Sequence, residues 1–183
     1  GDTSLYGGGR VPKHHQQPEC FGAVDEATSA FGLARALSTA NRTKLIIEKI
    51  QRGLYRIMAE LAMAPDKSID KKLVTTKEHV EELEAIAEEL EREIPSYNQF
   101  VLPGETPAAA ALDLARSTIR RAERESSRLK STGYEINPEL LRYLNRTSSV
   151  AYDLARYEAQ VSGATSTPAT ENTPDAQPLI DGK

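Results

Sequence analysis

Arg116, Arg120 and Arg124 recur at every fourth position, so on a helix their guanidinium groups form one stripe. Arg121 and Arg128 stand beside or beyond it, and Glu123 follows Arg116 by two helical turns. Like charges at this spacing oppose helix formation by ~0.2–0.5 kcal/mol per pair. Such a stripe must therefore be paired with carboxylates or bind an anion. Glu123, Glu125 and the acidic stretch 81–93 could supply the carboxylates. Spacing alone leaves both readings open.

A second set of chemically capable residues lies at the amino terminus. Thr3, Ser4, the glycine run Gly7–Gly9, Arg10 and Lys13 combine hydroxyls, turn-forming backbone and two cations. Glycines let N–H groups turn toward an anion, and Lys and Arg neutralise phosphate. The stretch has no GxxxxGK[ST] pattern and so is not a Walker loop. By itself it also reads as a flexible arm. Asn145 and Ser149 share a face of a late helical segment, and Asp25-Glu26 lie where carboxylates favour a helix amino terminus.

Other chemistries find no residues to carry them. His14, His15 and His79 form no metal-ligand spacing, and no Ser/His/Asp or Cys/His arrangement is present. Cys20 is the single cysteine, which excludes an internal disulfide and suits a reducing compartment. The net charge of −4 argues against general nucleic-acid or membrane-surface binding. No apolar run approaches the roughly 20 residues that span a bilayer. An enzyme built from these residues would bind and position phosphate rather than use a protein nucleophile.

Five helical segments must carry these residues. Apolar periodicity predicts helices over about 24–37 and 44–63, the second with Ile46, Ile50, Leu54, Ile57 and Leu61 as its stripe. A third opens with Thr75 and Glu78 as a capping box and carries Val80, Leu83, Ala87, Leu90 and Ile94. Thr106-Pro107 and Asn137-Pro138 are cap-then-proline starts for helices running to about Ser131 and Gln160. The hydrophobic fraction of 39% supports one core. The expected architecture is an all-α five-helix bundle over 1–161, with an irregular arm at 1–22 and a disordered tail at 162–183.

Five ordered blocks resemble the PduO-type ATP:cob(I)alamin adenosyltransferases. They are Arg10-Val11-Pro12-Lys13, the run from Phe21 to Glu26, the block from Phe100 to Gly104, the run from Ala111 to Arg124, and Tyr143-Leu144-Asn145-Arg146 with Leu154-Ala155-Arg156. The resemblance implies a bundle with ferritin-like up-down packing, assembled as a homotrimer with ATP and corrinoid between subunits. It implies attack by cobalt(I) on the 5′ carbon of ATP, with release of tripolyphosphate. Lys13, Arg116, Arg120 and Arg124, with Mg²⁺ carried by the ATP phosphates, would hold the leaving group. Gly1, Asp2, Thr3, Ser4, Arg10, Arg121, Glu123 and Asn145 match further nucleotide positions. Phe100 matches the aromatic closing the lower face of the corrin ring. Asp25 matches a carboxylate pairing across the interface with the Arg116 position.

By the same resemblance, expected partners are a flavin-type reductase and an adenosylcobalamin-dependent client enzyme, with no nucleic acid and no membrane. The expected location is the cytoplasm, or the mitochondrial matrix in a eukaryote. The chain departs from the family pattern at several positions. Gly1-Asp2 runs directly into Thr3, a shorter lead than usual. Glu105 replaces a glycine, Asp113 a histidine and Ser149 an aspartate. Glu105 is expected to add negative charge on the corrinoid side. These departures favour, as a rival reading, a non-catalytic carrier of ATP or adenosylcobalamin. A second rival is an interaction module whose arginines pair with acidic helices in an oligomer.

Overall fold

The computed structural model describes residues 1–65, 67–95 and 100–169. Two short strands, β1 (Asp2–Ser4) and β2 (Arg10–Pro12), precede α1 (Gln16–Leu37), α2 (Asn41–Ala62), α3 (Lys77–Glu93), α4 (Pro107–Ser131) and α5 (Pro138–Val161). The five-helix bundle expected from periodicity is the fold of the chain.

Where the start signal was local, it held. Thr106 Oγ1 accepts the Ala109 N–H at 3.0 Å and Asn137 Oδ1 accepts the Glu139 N–H at 3.1 Å. Each following proline lacks only an N–H that has no partner in a first turn. Two other starts differ from expectation. α1 begins at Gln16 rather than near Val24, capped by His15 Nδ1 accepting the Gln17 N–H. Pro18 is tolerated because it lies within the first turn. α3 is capped by Thr76 and not Thr75, with His79 Nδ1 accepting the Thr76 N–H at 3.0 Å. Thr75 instead donates its N–H to Glu60 Oε1 at 2.8 Å.

α1 packs on α2 and α4, α4 on α5, and α5 on α3. The stripes expected for α2 and α3 are buried, from Ile46 to Leu61 and from Val80 to Leu90. α1 and α4 run antiparallel, as Cys20 Sγ lies 3.3 Å from Ser126 Oγ while Glu26 meets Arg121 farther along. Glu158 is fully buried, yet its carboxylate accepts three bonds from Thr39 and Ala40 at the α1–α2 turn. That satisfaction is what makes its burial tolerable.

The amino-terminal arm is not irregular. β1 and β2 pair antiparallel with Thr3 opposite Val11. Gly7, Gly8 and Gly9 turn between them at φ of 85°, 114° and 83°, a region that favours glycine. The hairpin seats on the end of α2: Tyr6 donates to the Ala62 carbonyl at 2.8 Å, and the Ala64 N–H donates back to Tyr6 at 2.9 Å. It thus satisfies backbone groups that a helix end leaves unpaired.

The first residues of the expected tail, up to 169, are among those described. Leu102 donates to the Thr167 carbonyl and Ala169 to the Phe100 carbonyl, both at 2.8 Å. Residues 162–169 are therefore ordered against the segment before α4, and the remainder of the expected tail lies outside the described residues.

Candidate active site

Helix α4 places its arginines in three different environments. Arg121 forms an ion pair with Glu26 of α1. Arg116 approaches Asp113 Oδ1 with its Nε at 3.7 Å, and that Nε has no hydrogen-bond partner among the described residues. Arg120 and Arg124 are exposed and have no carboxylate partner among the described residues. The only bond recorded between them runs from Arg124 Nη1 to the Arg120 carbonyl at 3.1 Å.

Beside these two cations, Asn145 of α5 donates its amide to Glu123 Oε1 at 2.9 Å. Arg120, Glu123, Arg124, Ser127 and Asn145 line an open hollow of about 320 Å³. Glu123 is therefore engaged by Asn145 rather than neutralising the arginines. A larger hollow of about 440 Å³, between the end of α2 and the α4–α5 turn, has Lys67 as its single cation among the described residues. For a polyanion the smaller hollow is the better match, because it keeps two guanidinium groups free.

The remaining predicted residues are accounted for as follows. Gly1, Asp2, Thr3, Ser4 and Arg10 lie in the hairpin, and Lys13 just after it, with its N–H donating to the Gly1 carbonyl at 3.0 Å. Within one protomer no hydrogen bond or ion pair joins any of them to the α4 arginines among the described residues. Asp25 is exposed on α1. Phe100 is 89% exposed, an unusual position for so large an apolar side chain. Leu102 and Leu114 are about half exposed nearby in sequence.

Sequence reasoning named Arg156, Glu105 and Asp113 separately and missed that they meet. Arg156 is buried on α5, donating to Glu105 Oε1 and to Asp113 Oδ2, each at 2.6 Å. Glu105 thus does not present negative charge to a ligand, as expected from the sequence; it is neutralised inside the protein. Burial raises the Asp113 carboxyl above the usual carboxylate range, and Arg156 and Arg116 act to lower it. These partners are separated by 43 and 51 residues, so no local pattern joins them.

A family model for cobalamin adenosyltransferase matches residues 1–158. The chain belongs to the cobalamin adenosyltransferase family. The corrinoid adenosyltransferase PduO of Salmonella typhimurium is 35% identical over 158 residues, covering 86% of this chain and 47% of that protein. The chain thus spans about half the length of this relative and of its Citrobacter freundii counterpart. A corrinoid adenosyltransferase of Bacillus subtilis is 36% identical over 167 residues, covering 89% of this chain and 84% of that one. Among solved structures, a variant PduO-type ATP:corrinoid adenosyltransferase from Lactobacillus reuteri, complexed with cobalamin and ATP, superposes with a TM-score of 0.83. It is 26% identical, and the match covers 93% of this chain and 95% of that one.

Proposed function

We propose that this chain transfers the 5′-deoxyadenosyl group of ATP to cob(I)alamin, giving adenosylcobalamin and tripolyphosphate. The observation that carries this reading is the pair of guanidinium groups without a carboxylate partner among the described residues, Arg120 and Arg124, beside the Glu123–Asn145 bond. The interaction-module reading would meet those arginines with acidic helices of another subunit, and it predicts neither turnover nor nucleotide binding. The carrier reading drew on Glu105, whose charge is spent on Arg156.

Cobalt(I) supplies the electron pair for the new cobalt–carbon bond, and the pair of the breaking carbon–oxygen bond leaves on tripolyphosphate. The protein's task is to bind, align and neutralise. One cation about 4 Å from one phosphate charge gains roughly 4 kcal/mol at an effective dielectric near 20. Arg120 and Arg124 serve this role at the leaving group, with Lys13 and Arg10 brought by a hairpin. Asn145 and Glu123 orient the nucleotide. No group of three or more His, Cys, Asp or Glu that could hold a metal occurs among the described residues. Mg²⁺ would enter on the ATP phosphates, where it shares the neutralising work.

The site would be completed by a neighbouring subunit of a homotrimer, with Lys13 and the stripe meeting across the triphosphate and Asp25 reaching the neighbour's Arg116. Phe100, exposed on its loop, would cover the lower face of the corrin ring. A reductase must supply cobalt(I), and an adenosylcobalamin-dependent enzyme would consume the product. No helix of the described residues is long and apolar enough to cross a membrane. The requirement for cobalt(I) suits a reducing compartment such as the cytoplasm or the mitochondrial matrix.

The test is incubation with ATP, Mg²⁺ and chemically reduced cob(I)alamin, following the cobalt spectrum and tripolyphosphate. Multiple turnovers support the transferase. Stoichiometric binding without turnover would favour the carrier, and absence of both would leave only an interaction module. Phe100→Ala should impair reaction from cobalt(II) far more than from cobalt(I), and equal losses would discard its role at the ring.

A further inference from the structure

Between the Phe100 loop and the arginine stripe lies a set of charges withdrawn from water. The side chains of Arg156, Glu105 and Asp113 are 1%, 2% and 8% exposed. Arg156 spans the two carboxylates, and its guanidinium carbon sits 5.4 Å from the centroid of the Tyr152 ring. Asp113 gives Oδ2 to Arg156 and turns Oδ1 toward Nε of Arg116, 3.7 Å away. Two carboxylates thus face two guanidinium groups, and the cluster is neutral.

Stability does not account for such an arrangement. Replacing a buried ion cluster by apolar side chains of similar volume is often neutral or stabilising by ~1–4 kcal/mol. What the cluster does provide is a fixed geometry between three elements. Glu105 ends the loop that begins at Phe100, Asp113 and Arg116 share one turn of α4, and Arg156 belongs to α5.

We propose that Glu105, Arg156 and Asp113 form a positioning device that fixes the Phe100 loop against α5 and braces Arg116 from beneath. The proposal rests on the reading that Phe100 covers the lower face of the corrin ring and that Arg116 meets Asp25 of a neighbouring subunit. Its logic is a division of partners. Because Glu105 satisfies one edge of Arg156, Asp113 need surrender only one oxygen to it and keeps the other for Arg116. Without the Glu105 charge, Asp113 is drawn wholly onto Arg156, since an unpaired buried guanidinium is costly. The loop and Arg116 are then released together. None of the three touches substrate in this scheme; they act through Phe100 and Arg116.

The experiment uses the full chain and its Glu105→Gln variant, with ATP and Mg²⁺ present throughout. The rates from cob(I)alamin and from cob(II)alamin plus reductant are compared, and the electron paramagnetic resonance of bound cob(II)alamin reports the four-coordinate fraction. Glu105→Gln is expected to lower the rate from cob(II)alamin at least tenfold and to diminish the four-coordinate signal. The KM for ATP should stay within twofold and the helical circular dichroism should be retained. Glu105→Asp, which keeps the charge, should recover most of the signal.

Should Glu105→Gln lose helicity, Arg156→Lys, which keeps the charge but not the two-edged geometry, carries the same comparison. A reduced four-coordinate signal in Arg156→Lys at unchanged ATP KM, with most of the signal retained in Glu105→Asp, supports the device. Wild-type signal in Arg156→Lys, or a corrinoid rate that falls in proportion to a rise in the ATP KM, overturns it. If the wild-type protein itself fails to turn over cob(I)alamin, the transferase reading falls and this proposal with it. If it turns over and Glu105→Gln matches it in rate and signal, only the positioning role is lost.

Discussion

Arg120 and Arg121 are neighbours in sequence and differ in everything a ligand would notice. Arg121 is held by Glu26, whereas Arg120 projects from α4 with no carboxylate to meet it among the described residues. The consequence is a pair of alanine substitutions with unequal effects. Arg120→Ala should reduce kcat/KM by about 10²–10³, the range for losing one donor to developing charge, without loss of helical circular dichroism. Arg121→Ala removes a half-exposed ion pair and should cost stability of ~1 kcal/mol or less, with a much smaller effect on turnover. Equal kinetic losses would mean that the Glu26 pair opens to admit substrate. The sequence revealed the stripe because its period is local. It could not separate Arg120 from Arg121, since that depends on which carboxylate another helix brings.

Asp153 makes a second residue-scale case. It is 5% exposed on α5, and its Oδ2 has no partner among the described residues. Burial, reinforced by Glu91, pushes its carboxyl up to about 7, against Arg146, which lowers it. An unfolded Asp titrates near 3.9. Between about pH 4 and pH 7 the folded chain therefore holds a proton that the unfolded chain has released, and stability falls as pH rises through that window. Above it the loss is constant. Asp153→Asn should raise the urea midpoint at pH 8 by an amount equal to about 1 kcal/mol, and the gain should shrink as the pH is lowered toward 4. A gain independent of pH would show that the carboxylate's charge is not the cause.

Among the elements, α2 and α5 meet so closely that one position admits no side chain. A Cβ on Gly53 would stand 1.9 Å from the Tyr143 hydroxyl oxygen and 2.4 Å from its ring carbon Cζ. Tyr143 is itself buried and part of the core, so its ring has little room to retreat. Gly53→Ala would normally favour a helix, yet here overpacking should dominate and destabilise by ~1–3 kcal/mol. A thermal melt decides this, as an unchanged or raised Tm would require that the two helices separate freely. Nothing in the local sequence marks Gly53, which reads as a propensity defect inside an otherwise regular amphipathic stripe. The starts of α4 and α5 were legible for the opposite reason, because cap and proline are adjacent in the chain. The hairpin and residues 162–169 escaped notice because their partners are distant: the end of α2 in one case and the Phe100–Leu102 segment in the other.

For the whole molecule, the decisive question is whether one protomer holds a complete site. In the proposed homotrimer, a cyclic assembly with head-to-tail contacts would pair one subunit's hairpin with its neighbour's α4. This arrangement makes a prediction that a self-contained site does not. Lys13→Ala and Arg120→Ala subunits should each be nearly inactive alone. Mixed after reversible dissociation in equal amounts, they should form about one quarter of interfaces with both an intact Lys13 and an intact Arg120. Activity should then return to roughly a quarter of the wild-type rate, measured as adenosylcobalamin formed per total subunit. If every site drew both residues from one chain, no mixture would contain an intact one and the rate would stay at the level of the parents. Recovery would therefore place hairpin and stripe on different subunits of one site.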